Sequence, residues 1–169
     1  MKISRFVSLA CLWLPLAAAA NPLEGGDTYV TLGGGYYNGN DYPPDPNAST
    51  PEASSVDGGA AHLSLTNTNV VLLRVRGSWY FDYTSNVAEE VAGLVGLPLT
   101  TDHNVWFNAG VSRLTDVSNK QQSPTVGFPL ELVYYPVRGF ELMVHGNINK
   151  DSNFIGIAVG GAIGRQRPK

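Results

Sequence analysis

The chain has 169 residues, a formal net charge of −3, a pI near 5.5 and a single cysteine. Those values exclude an intrachain disulfide and a multi-cysteine metal site, and the lack of any basic run interleaved with aromatics excludes a nucleic-acid interface. After the first twenty residues no stretch approaches the about 20 apolar residues of a transmembrane helix, so a mature chain integral to a membrane must be a closed barrel.

Residues 1–20 read as a secretory signal. Lys2 and Arg5 form the positive n-region, Val7 to Leu16 the short apolar core, and Ala18 to Ala20 the small-residue site, with cleavage expected before Asn21. Leu9-Ala10-Cys11 is a loose match to a lipoprotein box, but it sits inside the apolar core. The expected mature chain, 21–169, is a single domain. It loses Lys2, Arg5 and the only cysteine, and is two units more acidic than the whole.

Eight strands are then predicted from period-two alternation. The first spans about 28–37, with Val30, Leu32 and Tyr36 opposed to Thr31, Gly33 and Gly35. A long first loop, 38–58, carries Pro43, Pro44, Pro46 and Pro51 among Asn, Asp and Ser. The second strand, 59–66, sets Ala61, Leu63 and Leu65 against His62, Ser64 and Thr66. The third, 70–83, sets Val71, Leu73, Val75, Trp79 and Phe81 against Arg74, Arg76, Ser78, Tyr80 and Asp82.

The fourth, 87–99, groups Val87, Val91, Val95 and Leu97, with Glu89 intruding on their face. Its first half also reads as a helix start, with Asn86 as cap and Glu89 and Glu90 in the first turn. Gly93, Gly96 and Pro98 favour strand. The fifth, 103–114, alternates Val105, Phe107, Ala109 and Val111 with Asn104, Trp106, Asn108, Gly110 and Ser112, and a polar loop follows. The sixth, 125–136, opposes Val126, Phe128, Leu130, Leu132 and Tyr134 to Thr125, Gly127 and Glu131. After a tight turn at Pro136 to Gly139, the seventh, 140–149, opposes Phe140, Leu142, Val144 and Ile148 to Glu141, Met143, His145, Asn147 and Asn149. The eighth, 154–164, sets Ile155, Ile157, Val159 and Ile163 against Gly156, Ala158, Gly160, Ala162 and Gly164.

The polar faces decide which side is inside. A face washed by water normally carries Lys, Thr or Glu; here lysine is absent from every predicted strand, and one face of the first and eighth strands is nearly empty. That pattern fits the interior of a narrow barrel whose outside meets lipid. The interior is expected to be packed and polar, without an open pore. Arg74, Arg76, Asp82, Glu90, Glu131 and Glu141, with His145 and Asn147, are the candidates for an interior ionic and polar network. Glu89 belongs near the outer rim, and Tyr36, Trp79, Phe81, Tyr83 and Tyr134 are candidates for aromatic girdles.

With these strands in place the chain resembles the small eight-stranded outer-membrane barrels, such as the transmembrane part of OmpA and the OmpX-like proteins. Its ending, Gly146-Asn147-Ile148-Asn149 through Phe154-Ile155-Gly156 to Gly164-Arg165, is also similar to that of uncharacterised secreted barrel proteins of Gram-negative bacteria. The resemblance implies an all-β, up-and-down antiparallel barrel in the outer membrane, surrounded by lipid and lipopolysaccharide. It also implies a structural or adhesive role, with host or envelope components met through the loops. Such barrels commonly end on an aromatic residue, whereas this chain closes with Gly164-Arg165-Gln166-Arg167-Pro168-Lys169.

Two rival readings remain open at this stage. A soluble periplasmic or secreted lipocalin-like barrel would turn Leu73, Val75, Leu130, Leu132 and Ile157 inward and bind an apolar ligand. A lipid A-modifying acyl hydrolase would use His62 and Ser64, but the sequence offers no evident acid to orient the histidine. Asp41, Asp45, Asn47 and Asp57 have the oxygen chemistry of calcium ligands without a recognisable spacing. No cofactor and no metal is expected.

Overall fold

The computed structural model describes residues 28–41, 54–68, 71–82, 87–116, 124–150 and 152–165. Eight strands run in chain order: β1 (Thr28–Asp41), β2 (Ser54–Thr68), β3 (Leu72–Asp82), β4 (Val87–Pro98), β5 (Val105–Asp116), β6 (Thr125–Val137), β7 (Phe140–Asn149) and β8 (Ser152–Arg165). Each pairs antiparallel with its sequence neighbours, and β8 returns to β1, closing the barrel. The expected signal segment, 1–20, lies outside the described residues.

Two sequence expectations change. β1 continues to Asp41 and β2 begins at Ser54, so both strands extend into the stretch read as the loop 38–58. Their pairing carries on through Asn38–Asp57 to Asp41–Ser54, because ladder bonds compensate the weak β propensity of Gly, Asn and Asp there. The ambiguous segment after Asn86 is strand β4: it lies between β3 and β5, and the ladder on both sides overrides the helix-start signal of Glu89 and Glu90.

The register sets the barrel's shape. Stepping across successive partners from Thr28 leads through Asn67, Leu73, Val95, Ala109, Leu130, Gly146 and Ile155 to Asn38, ten residues up the starting strand. For eight strands that stagger gives a tilt of about 40° and an interior just wide enough for side chains to fill.

Burial alternates along every strand, and its sense is inside-out for a protein in water. Leu73, Val75, Val91, Leu132 and Ile157 are exposed on the outer wall, while Arg74, Arg76, Glu90, Glu131 and Glu141 are each 1% exposed or less. The lipocalin-like alternative is thereby overturned, because it needs the first set enclosed and the second in water. Tyr36, Trp79, Phe81 and Tyr134 face outward as the girdle reading requires, and Tyr83 lies outside the described residues. Glu89 is on the outer face opposite Trp79 and Thr115, near the end of the barrel where the long loops attach.

The empty face of β1 and β8 has a packing reason. A methyl group at Gly33 would stand 2.3 Å from Cε1 of His62 and 2.5 Å from the Val159 carbonyl oxygen, and one at Gly156 would stand 2.5 Å from Nε2 of His145. Both imidazoles rest on glycine. Gly161 faces outward with nothing within 4 Å of such a methyl. Gly33→Ala is therefore expected to lower stability by about 1–3 kcal/mol through overpacking. Gly161→Ala is expected to fall within about 0.5 kcal/mol of the parent in urea unfolding from lipid vesicles; equal effects at the two positions would contradict this packing.

Candidate functional site

The interior is layered, which corrects the expectation of a polar filling throughout. At the short-turn end Tyr29, Leu72, Trp106, Val133, Tyr135, Met143, Ala158 and Ala162 form a buried apolar cluster. Trp106 is held there by its indole N–H, which donates to the His103 carbonyl at 2.6 Å. His103 has a φ of 58°, and its ring meets Trp106 edge-on at 5.5 Å. In the same turn, hydrogen bonds with the Thr100 hydroxyl and then the Asn104 amide keep the exposed Asp102 carboxyl below its ordinary range. Toward the long-loop end Tyr37, Tyr80 and Phe154 pack edge-to-face, with Tyr37–Tyr80 centroids 5.1 Å apart and Tyr80–Phe154 4.8 Å apart.

Between these layers lies the ionic network. Arg74 donates from Nη1 and Nη2 to the two oxygens of Glu141, at 2.9 and 2.7 Å. Its Nε also lies 3.6 Å from Glu131. Arg76 bridges two carboxylates: Nη1 donates to Glu131, and Nη2 donates to Glu90 at 2.6 Å. The Tyr80 hydroxyl donates to Glu90 at 2.8 Å, the Asn108 amide to Glu131 at 2.9 Å and the Thr31 hydroxyl to Glu141 at 3.4 Å. Asn147 donates to Glu90 and, at 2.7 Å, to the Ser112 hydroxyl. The Met143 sulfur lies 3.8 Å from Arg74 and 4.0 Å from Arg76. Both guanidinium groups are thus shared between carboxylates contributed by β4, β6 and β7. Such a network is tolerable in a low-dielectric interior only because its charges are paired and hydrogen-bonded.

Of the predicted network residues, Arg74, Arg76, Glu90, Glu131, Glu141 and Asn147 come together. His145 is buried beside them and lies against Tyr80, with ring centroids 6.4 Å apart. The side chain of Asp82 lies outside the described residues. Sequence reasoning missed Tyr80, Asn108 and Ser112 as partners. Each lies on the polar face of its strand, and that was their only signal; the register that aims them at Glu90, Glu131 and Asn147 cannot be read from alternation.

The structure also supplies the acid that the His62–Ser64 reading lacked. Nε2 of His62 is 3.7 Å from Glu141. That carboxylate is bound by both terminal nitrogens of Arg74, and Ser64 is 2% exposed on the inner wall, away from the lipid face. The three residues form part of the barrel filling. Among the described residues no group of three or more His, Cys, Asp or Glu side chains is arranged to hold a metal ion.

No family model matches the sequence, and no curated protein does. Solved structures do. The chain is similar to a barrel described as "De novo design of transmembrane beta-barrels" over 84% of its own length and 99% of the other, with a TM-score of 0.52 and 14% identity. It is similar to Neisserial surface protein A (NspA) over 80% and 96%, with a TM-score of 0.54 and 13% identity. At such identities the likeness is one of fold. With its apolar wall outward and its charges enclosed, the chain has the fold of these small eight-stranded barrels.

Proposed function

We propose that this chain is a closed structural barrel of the outer membrane, non-enzymatic and non-conducting, that acts through the loops of its long-loop end as an adhesion or interaction module. The observation that carries this reading is the filled interior: an ion-pair network across the lumen, enclosed by an apolar cluster at one end and an aromatic cluster at the other. Lipid and lipopolysaccharide surround the apolar wall. Host or envelope components meet the connections at residues 42–53, 83–86 and 117–123.

Two measurements test the reading. In planar bilayers the refolded chain is expected to show no sustained conductance, because the guanidinium groups of Arg74 and Arg76 occupy the lumen. Bacteria displaying it are expected to adhere to cultured cells, and replacing residues 42–53 by a short Gly-Ser turn is expected to abolish adherence while leaving the barrel folded. Stable open-channel steps, or adherence unaffected by loop replacement, would refute the corresponding half of the proposal.

A further inference from the structure

Two of the described seams are interrupted: β6–β7 shifts register between Tyr134 and Val137, beside the tight turn, and β5–β6 loses its pairing in mid-strand. Between β5 and β6 the pairing runs from Val105–Tyr134 to Ala109–Leu130, then resumes at Ser112–Gly127 in the same register. The Gly110–Pro129 and Val111–Phe128 pairs are missing. On its other side β6 is paired with β7 without interruption from Gly127 to Tyr134, with Pro129 opposite Asn147. A strand residue directs its amide and carbonyl to one neighbour, so the donor that proline lacks is missing on the β5 side. Gly110 is itself tightly placed: a methyl group there would lie 1.9 Å from the Gly93 carbonyl oxygen on β4 and 2.8 Å from the Leu94 Cα, so only glycine fits.

Proline is ordinarily confined to edge strands or bulges, and an unpaired backbone group in a bilayer is costly. This seam is nevertheless flanked on the lipid side by Val111 and Phe128, both exposed. On the inner side two side-chain bonds span it. Below the gap Asn108 on β5 donates to Glu131 on β6. Above it Asn147 on β7 reaches across β6 to Ser112 on β5. Gly127 makes that reach possible, because a methyl there would stand 2.2 Å from the Asn147 Oδ1.

We propose that the β5–β6 seam at Gly110–Pro129 is a built-in line of opening in the barrel wall, latched from within by Ser112–Asn147 and Asn108–Glu131. When the latch releases, the wall parts beside Glu131 and a lateral cleft connects the polar interior with the surface between Val111 and Phe128. The reading of the chain as a closed barrel is its starting point, but its test is independent of conductance and adherence.

Residue-resolved hydrogen exchange of the full chain in lipid nanodiscs tests the proposal. The bond missing from this pair is the one from residue 129 to the Gly110 carbonyl, so one fewer backbone bond resists its opening; the Gly110 amide, which faces the Pro129 carbonyl, is expected to exchange about tenfold faster than that of Asn108, whose pair with Glu131 can close both bonds. Ser112→Ala, which removes the acceptor for Asn147 and leaves Asn147–Glu90 in place, is expected to speed exchange at Gly110 and Gly127 and nowhere else. Pro129→Ala restores the donor for the Gly110 carbonyl, so the pair closes with both bonds and opens less readily, and exchange at the Gly110 amide is expected to slow to the level of Asn108. Equal protection of Gly110 and Asn108 in the parent chain overturns the weak line outright, whether or not either variant folds. No response at the seam to Ser112→Ala overturns the latch, and no slowing with Pro129→Ala overturns the assigned cause.

Discussion

Arg74→Ala is expected to cost about 3–5 kcal/mol, because it leaves Glu141 fully enclosed without its cation. Among the described residues the Thr31 hydroxyl at 3.4 Å, His62 at 3.7 Å and the Tyr135 hydroxyl also lie near that carboxylate, and none replaces two guanidinium donors. Glu141→Ala is expected to do comparable harm from the other side, leaving Arg74 with Glu131 at 3.6 Å. The informative variant is the pair. Arg74→Met together with Glu141→Leu removes both charges and fills similar volume, so it is expected to be more stable than either single alanine variant. Urea unfolding from lipid vesicles measures all three, and the two alanine variants with their combination, Arg74→Ala/Glu141→Ala, complete a double-mutant cycle. If each single change costs less than about 1 kcal/mol and the two simply add, the pair behaves like an exposed one, and the enclosed network is wrong.

Placing a cation on the outer wall is the second large effect. Val75 is 58% exposed, and on β3 it stands between Arg74 and Arg76, whose side chains point the other way. Facing hydrocarbon, Val75→Arg is expected to destabilise the barrel by roughly 2–4 kcal/mol. Glu89→Leu tests the same wall near its rim, where removing the charge is expected to change stability by roughly 0–1 kcal/mol. The comparison depends on depth, which a water-soluble barrel does not sense: in water, Val75→Arg is an ordinary surface substitution, neutral within about 0.5 kcal/mol. A neutral Val75→Arg in vesicles therefore contradicts the lipid-facing assignment of this surface.

The alternation was legible because a strand has a side-chain period of two. Leu73, Val75 and Phe81 had to share one face, and Arg74, Arg76 and Tyr80 the other, whatever their neighbours. Which face was inside was also legible, from what was missing: no lysine on the strands, and glycine or alanine in a row on β8. Where alternation failed, the strand limits failed with it. β2 reaches back to Ser54 through Ser, Val, Asp and Gly, whose strand geometry comes from pairing with Asn38 to Asp41 and not from their own propensity. The apolar end layer escaped notice for a related reason. Trp106, Val133 and Tyr135 lie on the same faces as polar residues, so a face labelled polar concealed them.

The sequence alone thus determined the architecture: eight alternating segments, an aliphatic wall and a handful of charges on the opposite face. These follow from local geometry, which repeats every two residues and needs no partner. Only the tertiary structure decided which charge meets which. The ten-residue stagger around the barrel carries Arg76 to Glu90 and Glu131, Arg74 to Glu141, and Asn147 over Gly127 to Ser112. It also turned Pro129 from an unremarked residue of β6 into a gap in the wall, because a missing donor matters only once the neighbouring strand that needs it is known.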